Sequence, residues 1–481
     1  MSALRSIPRP ALACAVAALL NLLAWSLLTP PFHVPDEIAH FSYAQTLAET
    51  GRPPVTQTKT VYSPQEEAAL AGTYFYGVIG QPRNFPTATP AEQAKLGGEL
   101  ARHPGRLGNR DANVATSQPP LYYAIEDVPY AAARSGSIFT QLALMRAVSC
   151  LFGVATVLLC FGFVREVLPG EPRAWGVGAL AVSFLPLFAF ISSGVNPDAM
   201  LYAAAAGLFW AVAATFRRGL TPARGAALGA AVAVGALAKL NFLGFLPGVA
   251  LAVLYLAWRD SGRPGAIRGA LFAAGVAALP LAVYVLLNVS VWDRPAIGFG
   301  GITALAQPGT GGGATSGRSL GGLLSYLWQL YLPRLPFMQT HWFQGIALHR
   351  LWFDGLVGRF GWLDYGFPAW VYNAALVVAG AVLALVVAAL VRLRGALRGR
   401  GAEAVAYVLM VAGLLFVIGR AGYQSVTSGQ GTFQQARYLL PLLAPYAALV
   451  ALAARAGGRR WVPVLGVAFV LVAFAHDLFA G

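Results

Sequence analysis

The chain has 481 residues, of which 57% are hydrophobic and 11% charged, with a formal net charge of +15. A soluble chain carries about 25% charged residues, and the apolar residues here fall into many separate blocks, so the composition excludes a soluble protein and marks a polytopic membrane protein. The positive charge does not imply nucleic acid as a partner, because Lys and Arg cluster in short loops between apolar blocks, as the positive-inside rule expects.

The first apolar run, roughly residues 10–28, is long enough to span a bilayer. Arg5 and Arg9 precede it in the manner of a signal peptide. The run is long, however, and no small-x-small cleavage site follows, so it reads as an uncleaved first helix. Ten further spans are expected near 138–164, 174–193, 199–216, 224–238, 242–258, 269–291, 369–391, 404–419, 438–454 and 461–476. The expected fold is an all-α bundle of about eleven transmembrane helices, with residues 1–481 forming one integral-membrane domain. With the N-terminus in the cytoplasm, the cytoplasmic loops hold most of the arginines and only Glu166, Glu171, Asp260 and Glu403 of the 19 acidic residues, which sets the orientation.

Two loops on the far side are long, 29–137 and 292–368, and are expected to contain structure of their own. Short helices are expected at 64–70, with acidic residues in the first turn, and at 91–100. Gln118-Pro119-Pro120-Leu121-Tyr122-Tyr123 opens a segment suited to a helix lying at the interface. Gly309 to Gly322 is rich in Gly, Ser and Thr and is expected to be mobile, as a lid or as a plain linker. Cys14, Cys150 and Cys160 all lie in apolar runs, so neither a disulfide framework nor a metal cluster is implied. There is no evident internal repeat, which weakens an inverted-repeat transporter reading.

The chemistry concentrates just after the first span, in Pro35-Asp36-Glu37-Ile38-Ala39-His40. If a helix begins near Pro35, Asp36, Glu37 and His40 share a face. An ionised carboxylate near an apolar boundary can serve as a general base; the plain alternative is a helix cap beside a solvated glutamate. Asp198, in Asn196-Pro197-Asp198, suits either the N-cap of the fourth span or a second acidic group beside the first. Lys239 lies on the far side, where short loops rarely carry lysine. It can snorkel to headgroups or hold a phosphate as a point charge. The second long loop interleaves Arg318, Arg334, Arg350 and Arg359 with Trp and Tyr, a mixture that suits either a membrane-interface belt or a phosphosugar. Arg437 and Tyr438 open the tenth span on the outer side, where Arg437 can pair with headgroups or with a phosphate-bearing donor. Arg146 is the one charge well inside an expected span. There is no Walker loop, no dinucleotide fingerprint and no His-Glu-x-x-His. Acidic groups gathered at one membrane face favour chemistry there over ion-coupled transport, which usually places ionisable groups near mid-membrane.

Taken together these residues resemble the GT-C superfamily of integral-membrane glycosyltransferases, and most of all a bacterial multi-spanning branch. In that branch a Pro-Asp-Glu-x-x-His motif follows the first span, a Pro-Pro-Leu-Tyr-Tyr-like segment closes the first loop, and an Arg-Tyr-Leu-x-Pro motif opens a late span. Here they are residues 35–40, 119–123 and 437–441, with Ala436 where the late motif favours Gly. The resemblance implies a sugar donor on a polyprenyl phosphate, a glycan or glycolipid acceptor whose hydroxyl receives the sugar at the outer face, and inversion at the anomeric carbon. Asp36 would be the base. Glu37 and His40 would orient acceptor or base, and Lys239 and Arg437 would neutralise the departing lipid phosphate. Gln118, Tyr122, Asp198, Arg334, Arg359 and Tyr438 are the remaining expected substrate-binding residues. Some relatives use a divalent cation, for which Asp36 and Asp198 are the candidates here. The resemblance places the protein in a bacterial cytoplasmic membrane among its lipids. The alternatives are a transporter or flippase of lipid-linked sugars, and a surface-polysaccharide polymerase or ligase.

Overall fold

A computed structural model describes residues 8–55, 60–79, 81, 86–108, 112–294, 320–338, 342–343, 346–427 and 434–481. Helix α1 (Arg9–Leu28) turns through residues 29–36 into α2 (Glu37–Thr50). The first loop then holds α3 (Pro64–Gly72), α4 (Phe75–Val78), α5 (Pro90–Ala101) and α6 (Leu121–Ala132). Next come α7 (Ile138–Val167), α8 (Pro172–Ser183), α9 (Pro186–Ser192), α10 (Asp198–Arg218) and α11 (Pro222–Ala238). A 3-10 turn, Leu240–Phe245, leads into α12 (Leu246–Arg259), and α13 (Ala266–Ser290) follows. The remainder comprises α14 (Leu320–Tyr331), α15 (Leu348–Gly358), α16 (Ala369–Leu397), α17 (Gly401–Thr427), a 3-10 segment Ala436–Leu442, α18 (Leu443–Ala454) and α19 (Val462–Ala480). Two minimal antiparallel ribbons flank α15, pairing Trp342–Phe343 with Ile346–Ala347 and Arg359–Phe360 with Tyr365–Gly366.

All eleven expected apolar blocks are helical. Among the described residues nine helices are long and apolar enough to cross a membrane, or ten if the α8–α9 pair counts as one broken span. That pair bends by 63°, because Pro186 cannot continue the hydrogen-bond ladder of α8. The fifth block, α11, has 17 residues. It lies against α13 at backbone contact, since a Cβ on Gly225 would fall 1.9 Å from the carbonyl oxygen of Gly269. The segment 309–319 of the expected lid lies outside the described residues, whereas Leu320 onward is helical.

Helix α10 is the most enclosed of the nine. It packs along α7 and buries Tyr202, Leu208 and Phe209. Helices α13, α16 and α19 instead expose Leu271, Leu279, Val377, Leu383 and Leu471, the all-round apolar character of lipid-facing helices. Over its 21 residues, α10 separates two polar ends by roughly 30 Å at 1.5 Å per residue. One end is occupied by arginine pairs: Glu166 with Arg217 and Arg218, Glu171 with Arg455 and Arg459, Asp260 with Arg259, and Glu403 with Arg400. The other end carries Asp36 and Asp198.

Within the first loop, Ser63 and Glu66 close a capping box on α3, with Ser63 N–H donating to Glu66 Oε2 at 2.6 Å. Burial pushes the Glu66 carboxyl up to about 8, against the bonds from Ser63. A carboxyl raised on folding is a stability loss that begins above its unfolded value, near 4.5, and is complete above the folded one. Glu66→Gln is therefore expected to unfold at a higher temperature than the parent protein, by a margin that grows as pH is raised from about 5 to 8. Parallel melting curves in detergent check this.

Candidate functional site

The site is built on chain breaks. Residues 29–36 leave α1 in a tight turn, with Phe32 and Asp36 at positive φ (67° and 63°). Left-handed backbone at a non-glycine residue costs about 1–3 kcal/mol and persists only where its surroundings hold it. Arg146, projecting from α7, supplies much of that hold. It donates to the carbonyls of Ser26 (2.9 Å), Thr29 (2.8 Å) and Pro30 (2.9 Å), and its Nε and Nη2 fork onto Glu37 at 2.8 and 2.6 Å. Glu37 Oε1 also accepts the Val195 N–H at 2.9 Å. Asn196 Nδ2 donates to the Pro35 carbonyl at 3.0 Å.

This arrangement separates the acidic pair that the sequence places side by side. Glu37 is fully buried and both its oxygens are engaged, by Arg146 and Val195, so it fastens α1, α2, α7 and the α9–α10 link together. Asp36 precedes the first residue of α2 and points the other way, its side chain 35% exposed. It is ion-paired with Arg437 Nη2. The Pro35 carbonyl next to it also accepts Arg437 Nη1 at 3.2 Å.

Asp198 is the first residue of α10 and not its cap. Pro197 precedes the helix, and the Asn196 side chain accepts the Asp198 N–H at 3.0 Å. Its carboxylate faces two cations. Lys239 Nζ donates to Oδ1 at 2.7 Å, and Arg437 Nε lies 3.7 Å from Oδ2. Lys239 reaches this place because α11 ends there and the chain turns extended before the 3-10 turn. Arg437 sits in the 3-10 segment ahead of α18, its carbonyl accepting the Tyr202 hydroxyl at 3.1 Å. The Tyr438 ring lies against both cations, 5.3 Å from Lys239 Nζ and 5.4 Å from the Arg437 guanidinium carbon.

His40, one turn into α2, completes the group. Its Nδ1 is 2.8 Å from the Tyr123 hydroxyl. Burial first, then Lys239 and Arg437, push its pKa down to about 3 against the pull of Asp36 and Asp198, so the ring is neutral near pH 7. For Asp36 burial raises the pKa, but the cations Arg437 and Lys239 outweigh it and hold the carboxyl below its usual range.

The structure thus brings together Asp36, His40, Asp198, Lys239, Arg437 and Tyr438. It sends other expected residues elsewhere. Tyr122 turns toward α7, its hydroxyl 2.8 Å from Ser149, which in turn donates to Glu126; helical spacing gives the cluster Tyr123 instead. The helix carrying them, α6, buries Tyr122, Tyr123, Glu126 and Tyr130 against its neighbours. Gln118 meets Tyr43 through its backbone carbonyl, at 3.2 Å. Arg334 is exposed and donates to the Met338 carbonyl at 2.7 Å, and Arg359 points to the Leu363 carbonyl at 3.4 Å. Among the described residues neither has an ion pair with the cluster. Arg146, Asn196, Tyr123 and Tyr202 shape the site without having been singled out for it. The signal for Arg146 was its charge inside an apolar run, which demands a buried partner.

A divalent cation does not fit between Asp36 and Asp198. Arg437 lies against both carboxylates and Lys239 holds one of them, so a metal ion there would meet an already balanced set of charges. Among the described residues no three His, Cys, Asp or Glu side chains are grouped to hold a metal.

A family model described as "Predicted membrane protein (DUF2142)" matches residues 19–447. No curated protein matches the chain. Among solved structures, the apo oligosaccharyltransferase of Archaeoglobus fulgidus aligns over 98% of this chain and 56% of its own length, with 14% identity and a TM-score of 0.44. The chain therefore spans little more than half of that protein.

Removing one partner of a buried ion pair costs about 3–5 kcal/mol. Glu37→Gln and Arg146→Met are each expected to lower unfolding temperature sharply, with the double variant recovering part of the loss. A Glu37→Gln protein as stable as the parent would show that the pair does not hold the turn.

Proposed function

As a member of the DUF2142 family of membrane proteins the chain is a membrane protein, and we propose that it is a glycosyltransferase that takes a sugar from a polyprenyl-phosphate donor. The observation that carries this reading is the meeting of Asp36, Asp198, Lys239 and Arg437 from four separate chain breaks at one end of the bundle. A lipid-linked phosphosugar must present its phosphate near the membrane boundary, where Lys239 and Arg437 offer a point charge and a planar fork. As the bond from the anomeric carbon to the phosphate oxygen breaks, negative charge grows on the phosphate. Fixed cations in a partly buried site lower that barrier.

Asp36 is the partly exposed carboxylate of the cluster and the group we assign as base. It takes the proton of the acceptor hydroxyl as that oxygen bonds to the anomeric carbon. The products are the glycosylated acceptor, the prenyl phosphate anion and protonated Asp36, and attack opposite the leaving group inverts the anomeric centre. Neutral His40, held by Tyr123, is placed to hydrogen-bond the acceptor or the Asp36 carboxyl. Glu37, assigned by its position in sequence to the same work, acts instead through the turn it fixes.

We place this end of the bundle at the outer face of a bacterial cytoplasmic membrane, with the acceptor a glycan or glycolipid. Support comes from the opposite end, where each of the four acidic residues expected in the cytoplasm is buried against arginine. A flippase would need a polar path through both ends.

Purified protein supplied with a panel of polyprenyl-phosphate sugars is expected to transfer at least one of them. Asp36→Asn, folded as judged by its melting curve, is expected to be slower by about 10²–10⁴-fold, the usual worth of a general base. Transfer at the parent rate by that variant would contradict the assignment.

A further inference from the structure

Arg437 has more hydrogen-bonding capacity than it uses. Nη2 is on Asp36 and Nη1 on the Pro35 carbonyl, yet Nε finds no acceptor among the described residues. Oδ2 of Asp198 likewise finds no donor, and it is the oxygen that lies 3.7 Å from that nitrogen. The two side chains are 3% and 1% exposed. A buried charged group with an unmade hydrogen bond is costly. Here two such atoms of opposite charge face each other just beyond bonding distance. They mark a second seat for the guanidinium, reached by a small movement toward Asp198 and away from Asp36.

The charge balance says what would drive that movement. Asp36 and Asp198 offset Lys239 and Arg437, with His40 neutral. An anion arriving from the exposed side must compete with a carboxylate for the Arg437 N–H groups. Asp198 is buried and fixed to Lys239 at 2.7 Å. Asp36 is the more exposed by a wide margin, so it is the one that gives way.

We propose that Asp198 is a positioning residue, the seat onto which Arg437 closes when a lipid phosphate occupies the outer faces of Lys239 and Arg437, and that this exchange frees Asp36 to act as base. The inference rests on the glycosyl-transfer reading above and adds an order to it. Without donor, Arg437 neutralises the carboxylate that would take the proton. With donor, the phosphate draws on Arg437, Asp198 steadies it, and Asp36 is released beside the anomeric carbon. The proton-accepting group becomes available only when there is a sugar to transfer.

The test is a double-mutant cycle on anion affinity, with farnesyl phosphate as probe and the full chain in detergent followed by titration calorimetry. Asp36→Asn removes the competitor for Arg437 and is expected to tighten binding by about tenfold, a direction that structural damage would not produce. In the Asp198→Asn background the same change is expected to tighten binding by less than about twofold, and Asp198→Glu is expected to restore the larger effect. Equal tightening in both backgrounds would overturn the exchange. So would absence of tightening in a protein that binds the probe and loses it on Lys239→Ala, and either outcome leaves the donor assignment standing. Failure of the folded parent protein to bind farnesyl phosphate would overturn that assignment and the exchange together.

Discussion

The buried pair of Glu37 and Arg146 is the contact on which the site depends. One guanidinium takes the last carbonyls of the first helix and the carboxylate that begins the second, and that carboxylate reaches across to the backbone ahead of α10. Ions removed from water are stable only where every polar atom is met, and here the satisfying partners come from four segments. Fixing Glu37 inward fixes its neighbour outward. The strained backbone at Asp36 is tolerable because the residues on both sides are held.

The second constraint is the interruption of helices. An uninterrupted apolar helix in lipid presents no free backbone and little reason for a charged side chain. Lys239 and Arg437 each stand where an α-helix gives way to extended or 3-10 chain, and Asp198 stands at a helix start. The breaks cluster at one end of the bundle, so groups distant in sequence converge there. Lipid-facing helices such as α13 and α16 carry no such breaks into the cluster and serve as walls. At the far end the acidic residues are paired with arginine, and near Asp36 the two carboxylates are paired with Arg437 and Lys239.

Much of this is legible in the sequence. Apolar blocks located every long helix, because hydropathy over about twenty residues is a strong signal. It could not tell a straight span from the α8–α9 bend, where one proline decides. The candidates Asp36, Asp198, Lys239 and Arg437 stood out by being charged where charge is costly, and they meet. Which way Glu37 faces was hidden, since a left-handed residue before a helix rotates it relative to any helical-wheel expectation. For Arg334 and Arg359 of the second loop the sequence offers only residue type, and type does not fix position in a loop. Tyr122 and Tyr123 are adjacent, so a one-residue difference on a helix decided which of them faces His40.

The central claim, that Lys239 and Arg437 form the seat of a lipid phosphate beside a carboxylate, is tested most directly by an experimental structure of the full chain in a lipid nanodisc with a bound prenyl phosphate. Phosphate oxygens are expected within hydrogen-bonding distance of Lys239 Nζ and the Arg437 guanidinium, with Arg437 Nε closed on Asp198 and Asp36 withdrawn from its ion pair. Phosphate bound instead among the arginines at the opposite end of α10, with the Asp36–Arg437 pair intact, would contradict it.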